Sequence, residues 1–219
     1  MNKEIVVSAS FKELNWLSQL NDIKKTVYRK GTEIQNSDEI KIDINKGVAE
    51  HTYFYHLYHN YDNLSDITFF VQDFPFDHWG KIIEVINNNN WKEKCDLNIK
   101  DGFFSFNNNA LGASWHLFDS EHFIGSKILF CNSDGSPHYS FTDNYSVDMI
   151  WEMLFENDKL NRYEFIPGTH FGVTKEHVKI RNKDFYKQIM DLLITSPNLP
   201  HIIERLNCYI FDERFKSKI

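Results

Sequence analysis

The sequence predicts a single α/β domain with a mostly parallel sheet flanked by helices. Three observations predict it. Short runs rich in β-branched and aromatic residues alternate with segments whose apolar residues recur at helical spacing. The 219 residues are 42% hydrophobic and 25% charged, the balance of a globular chain with enough apolar bulk for a sizeable core. No repeat, linker or low-complexity stretch divides them, and nine Gly and five Pro exclude collagen-like organisation.

Taken in order, residues 4–8 form a first strand, a β-branched run at the N-terminus. Residues 12–21 place Leu14, Trp16, Leu17 and Leu20 on one helical face. Residues 26–28 read as a short strand closed by the turn at Lys30 and Gly31, and residues 32–46 as a polar loop. A helix with interleaved aromatics and histidines spans 48–61. The continuous apolar run at 66–71 reads as a buried strand of a parallel sheet, bounded by turn residues on both sides. A helix over 79–87 stops at the four Asn of 87–90. Residues 95–144 show little period and read as loops and short strands. A helix over 146–156, strands at 164–166 and 171–174, and helices over 184–194 and 201–211 complete the chain. The last two are separated by Ser196-Pro-Asn-Leu-Pro200, strong turn chemistry.

Charge and motif content exclude several function classes. A net charge of −7 and a pI of about 5.8 provide no general footprint for nucleic acid or an acidic membrane. No apolar run approaches the ~20 residues of a membrane span, so no integral membrane segment is expected. The start MNKEIVVSAS lacks the apolar stretch of a secretory signal. Cys95, Cys131 and Cys208 are odd in number and widely spaced, which matches a reducing cytoplasm. There is no phosphate-binding Walker loop, no Gly-x-Gly-x-x-Gly and no Gly-x-Ser-x-Gly. His51, His56 and His59 lack the His-Glu-x-x-His order of a zinc hydrolase.

Ligands of an open α/β sheet bind at the carboxyl ends of its strands. Asp73 and Asp77 follow the 66–71 strand, where carboxylates suit a hard divalent cation, although Asp77 equally suits a helix cap. His170, after the 164–166 strand, offers a nitrogen ligand that favours Mn²⁺ over Ca²⁺, or serves as a hydrogen-bonded structural residue. Glu204 falls in the first turns of the last helix, near the positive end of its dipole, with Arg205 and His201 as local partners.

Five segments together carry a resemblance: IVVSASFKELNWLSQL, VYRKG, GVAEHTYFYHLYHNYDNLSDITFFVQDFPFDH, GTHFGVTKEHVKIRNKDFYKQI and PHIIERLNCYIF. They resemble a domain-of-unknown-function family with a REAHTYLYHI…NYDNLPDVTVFLQG-PFDH core, itself similar to small glycosyltransferases of the GT-A fold, including one of large algal viruses. The resemblance covers roughly residues 4–90 and 160–212. It implies a GT-A-like, Rossmann-like fold in one domain, 1–219, with a nucleotide-sugar-binding half to about residue 95 and an acceptor-side half beyond. The implied activity is transfer of a sugar from a nucleotide-sugar donor to a glycan or lipid-linked acceptor, with inversion. The alternative is a non-catalytic nucleotide- or carbohydrate-binding module of the same fold.

Carried over residue by residue, the resemblance makes Glu204 the catalytic base, with residues 171–176 shaping the acceptor side. It assigns donor binding to Ser8, Ala9, Ser10, Lys30, Asn45, Gly47, Glu50, His51, Gln72, Asp73 and Arg205, with Phe11 or Trp16 stacking on the base. A divalent metal, Mn²⁺ or Mg²⁺, would sit at Asp73 with Asp77 or His170. Here the sequence departs from the family pattern: Gln72-Asp73-Phe74 stands where GT-A enzymes carry Asp-x-Asp.

Overall fold

The computed structural model describes residues 1–10, 12–31, 36–43, 46–106, 116–119, 130–131, 137–139, 145–160, 162–166 and 168–219. The strands in chain order are β1 (Lys3–Ala9), β2 (Lys24–Lys30), β3 (Ile40–Ile42), β4 (Ile67–Gln72), β5 (Leu97–Ile99), β6 (Phe103–Ser105), β7 (His116–Asp119), β8 (Phe130–Cys131), β9 (Pro137–Tyr139), β10 (Arg162–Phe165) and β11 (Phe171–Thr174). The helices are α1 (Val48–His59), α2 (Ile82–Asn87), α3 (Trp91–Lys94), α4 (Val147–Leu154), α5 (Lys175–Lys179), α6 (Lys183–Leu193) and α7 (Leu199–Ile210).

Seven strands form one sheet in the order β3-β2-β1-β4-β11-β6-β5. The β3-β2-β1-β4 half is parallel, and β11, β6 and β5 add antiparallel pairings. The expected α/β architecture is therefore present, with a mixed rather than uniformly parallel sheet. Side chains alternate across a strand, so β1 sends Val6 to one face and Ile5 and Val7 to the other. One face packs against α1, α4, α6 and α7, and the other against Trp16, α2 and α3. Both faces of β4 are buried, which explains its unbroken apolar run. Each fully buried aromatic, such as Phe69 or Phe70, contributes about 1.5–3 kcal/mol.

Local chemistry sets the helix ends. Ser146, Thr174 and Asn182 each accept a backbone N–H three residues on, capping α4, α5 and α6. α1 is buried around most of its circumference, polar residues such as Glu50, His51, Thr52 and His56 included, because it packs against the sheet, α6 and α7.

Several elements differ from expectation. The helix expected over 12–21 is a 3₁₀ helix, Asn15–Gln19, which has no side-chain cap and buries only Trp16 and Leu17. The loop at 32–46 contains the edge strand β3. The helix expected at 79–87 begins as a 3₁₀ turn, Pro75–Asp77, and reaches α-helical geometry only in α2. The α3 and α5 turns were not anticipated.

Candidate functional site

A cavity of about 510 Å³ opens at the carboxyl ends of β1, β2 and β4. The chain leaves β1 for β2 on one side and returns to β4 on the other, so the β1/β4 junction is the topological switch point of the parallel half. Ser8, Ser10, Gln72 and Asp73 line the strand wall, and Lys30 comes from the end of β2. The opposite wall consists of the start of α1 and the α6–α7 turn, including Leu193, Pro197 and Pro200.

The strand wall is tied together by Asp73. Its Oδ2 accepts the backbone N–H groups of Ser10 at 3.0 Å and Lys12 at 3.2 Å. The indole N–H of Trp16 donates to the Asp73 carbonyl at 2.9 Å. Trp16 is thereby buried against Phe76 and does not face the cavity as a stacking platform. Ser8 shares a hydrogen bond with Thr52 of α1.

The floor is charged and enclosed. Lys30, only 2% exposed, donates through Nζ to the carbonyls of Lys46 at 2.7 Å and Val48 at 2.6 Å. Burial lowers its pKa to about 8, with Glu50 opposing the shift. Glu50, in the first turn of α1, is pushed up to about 8 by burial, with the charge of Glu204 adding and that of Lys30 opposing. Burial thus disfavours the charged forms of both Lys30 and Glu50, and each opposes the other's shift. His51 is pushed down to about 4 by burial, with Lys30 contributing. Gly47 takes a left-handed φ of +71°, and a Cβ there would meet His51 Cβ at 2.7 Å, so only glycine fits this entry to α1.

A second group gathers behind the cavity. Gln72 donates to the Thr169 hydroxyl at 3.2 Å. Glu204 Oε1 accepts the Gly168 N–H at 2.7 Å, and Oε2 lies 3.6 Å from Nη1 of Arg205. Arg205 is held in turn by the His201 carbonyl and lies over the Phe165 ring. Pro200 and Glu204 are four residues apart on α7 and share a face, but Glu204 itself lines a small cleft of about 10 Å³ with His170 and Asn207.

Among the expected donor-binding residues, Ser8, Ser10, Lys30, Gly47, Gln72 and Asp73 line the large cavity. Glu50 and His51 are buried in α1 beside it, Ala9 is fully buried, and Arg205 lies behind with Glu204. Asn45 and Phe11 lie outside the described residues. Residues 171–176 form β11 and the first residues of α5, and Phe171 borders the small cleft.

The expected metal ligands do not converge. Asp77 is exposed on a 3₁₀ turn, and His170 is enclosed beside His78 with burial pushing it down to about 3. Among the described residues no group of three His, Cys, Asp or Glu side chains can hold a metal ion. Asp73, Asp77 and His170 therefore do not fit a divalent cation as one ligand set. The contributions of Lys46, Val48 and the α6–α7 turn were missed by sequence reasoning. Of these, only the Ser-Pro-Asn-Leu-Pro turn carries a local signal.

Residues 5–218 match the family described as "Protein of unknown function (DUF3431)". Among curated proteins, none matches. One solved structure, that of CMP:2-keto-3-deoxy-manno-octonic acid synthetase complexed with CTP, is similar at 11% identity and a TM-score of 0.37, over 96% of this chain and 85% of that one. No described helix is long and apolar enough to cross a membrane.

Proposed function

This chain belongs to the DUF3431 family, and we propose that it is a glycosyltransferase that moves a sugar from a nucleotide-sugar donor to a glycan or lipid-linked acceptor. The observation that carries this reading is the cavity at the switch point. Its volume suits a small-molecule ligand, and it combines an apolar helical wall with hydroxyl, amide and ammonium groups. A nucleotide sugar needs both kinds of surface.

In the proposed reaction the donor lies along β1 and β4, with its phosphates toward the Lys30 end. Glu204, at the small cleft behind the cavity, is given the role of general base on the strength of the family resemblance. It takes the proton of the acceptor hydroxyl as that oxygen bonds to the anomeric carbon, the bond from that carbon to the phosphate oxygen breaks, and the nucleoside diphosphate departs with the electron pair. Attack opposite the departing group inverts the anomeric carbon. The Gly168 N–H and Arg205 orient the Glu204 carboxylate. No step is assigned to a metal, because the candidate ligands are not gathered.

A second reading, a non-catalytic nucleotide- or carbohydrate-binding module, is favoured by one feature: both oxygens of Glu204 already face partners within the fold. Incubation with a panel of nucleotide sugars separates the two. A transferase releases nucleoside diphosphate slowly to water even without acceptor, and Glu204→Gln lowers that release. A binding module gains thermal stability from the ligand and releases nothing.

A further inference from the structure

Resting on the nucleotide reading of the cavity, we propose that its Lys30 end is a phosphate subsite in which the Lys30 ammonium and the first backbone N–H groups of α1 hold the anion without a divalent cation.

Lys30 is the central observation. An ammonium has three N–H donors, and the carbonyls of Lys46 and Val48 take two of them. The third has no acceptor among the described residues, on a side chain that is 2% exposed and lines the cavity. Both partners are neutral carbonyls, so they fix the ammonium in place without themselves neutralising its charge. Burial raises the pKa of the neighbouring carboxyl, Glu50, which disfavours its charged form beside the ammonium.

The helix supplies the second set of donors. α1 is twelve residues long and its N-cap residue is Gly47, so the N–H groups of Val48 and Ala49 lack intrahelical partners, while the Glu50 carboxyl accepts its own backbone N–H. Val48 and Ala49 line the same cavity as Lys30. The positive end of the helix dipole adds to the ammonium charge there, and Lys46 stands exposed at the rim. Across the cavity, Asp73 directs Oδ2 at the amides of Ser10 and Lys12. With Asp77 and His170 dispersed, the cationic element of this pocket is built from the protein's own groups.

The test is binding of inorganic pyrophosphate and of uridine, guanosine, adenosine and cytidine diphosphates, measured by calorimetry in EDTA and again in Mn²⁺. The expected result is that one nucleoside diphosphate binds in EDTA, with affinity changed by less than about threefold on adding Mn²⁺. Lys30→Met should weaken it about tenfold or more, and added salt should weaken it further. Because Lys30 also pins the start of α1, Lys46→Glu at the exposed rim is the companion variant and should weaken binding without unfolding the protein. Binding only in Mn²⁺ overturns the subsite and leaves the nucleotide reading standing. Unchanged affinity in both folded variants overturns the subsite as well. Pyrophosphate binding in EDTA without any nucleotide binding supports the subsite and removes the nucleotide reading. No binding by any of these anions removes both.

Discussion

The backbone N–H of Gly168 donates to Oε1 of Glu204 at 2.7 Å, joining the turn before β11 to the second turn of α7. Gly168 has a φ of +113°, a conformation that L side chains rarely adopt, and a Cβ there would crowd the His78 ring. The carboxylate proposed as the base is thus also the acceptor that satisfies a buried amide. These two roles separate by substitution. Glu204→Gln retains an oxygen acceptor and should cost less than about 1 kcal/mol in urea unfolding, whereas Glu204→Ala leaves the amide unpaired and should cost about 1–3 kcal/mol. Nucleoside diphosphate release should fall about 100-fold or more in Glu204→Gln. Unchanged release in that variant would take Glu204 out of the chemistry.

Asp73 organises the strand wall independently of any ligand. Its carboxylate accepts two amides of the segment after β1, and charge-assisted bonds of this kind are the stronger ones. Asp73→Ala should destabilise the protein in metal-free buffer by about 1–3 kcal/mol and raise hydrogen exchange at the Ser10 and Lys12 amides. Metal-free stability and exchange identical to the parent would show that these bonds do not hold the loop.

How much of this was legible in the sequence depends on how local each signal is. β4 announces itself because burial on both faces demands a near-unbroken apolar run, β1 through its β-branched centre and α1 through its interleaved aromatics. The ends of β1, β2 and β4 then locate Ser8, Lys30, Gln72 and Asp73, all of which reach the cavity. β3 was hidden because three residues, Ile-Lys-Ile, in a polar segment carry too little period. The Asp73 bonds were hidden because Ser10 and Lys12 lie about sixty residues earlier in the chain. A still longer separation in sequence concealed the role of the α6–α7 turn, whose local chemistry predicts a turn but not which pocket it closes.

Arg29 of β2 and Glu39 form a buried two-point ion pair. Nη2 lies 2.6 Å from Oε1 and Nε 3.1 Å from Oε2, with Arg29 fully buried next to Lys30 on β2. Removing one charge from such a pair weakens the compensation of the other, so Glu39→Gln should be destabilising, by up to about 3–5 kcal/mol. Replacing both with Leu should recover much of that loss, since the desolvation of both charges is removed together. A double variant no more stable than the single one, by urea midpoint, would show that the pair contributes through packing of Arg29 and not through charge.

Stability should rise as the pH increases from about 4 toward 6.5, because buried histidines resist charging. Burial pushes His170 down to about 3, and His51 and His56 to about 4, against 6.5 in an unfolded chain. The unfolded state then binds more protons over that window, so the contribution of these groups is complete above 6.5 and is lost as pH falls through the folded values. Each histidine adds up to about 1.4 kcal/mol per pH unit to the slope. Glu50 acts in the opposite sense. Its folded value, pushed up to about 8 from 4.5, makes the folded state bind the extra proton, and stability from this group declines as pH rises between those values. Urea midpoints measured across this range should therefore pass through a maximum. His170→Phe, which keeps a ring in the enclosed position, should flatten the acid limb, and Glu50→Gln should flatten the decline toward pH 8. An acid limb unchanged in His170→Phe would show that His170 charges in the folded protein without penalty.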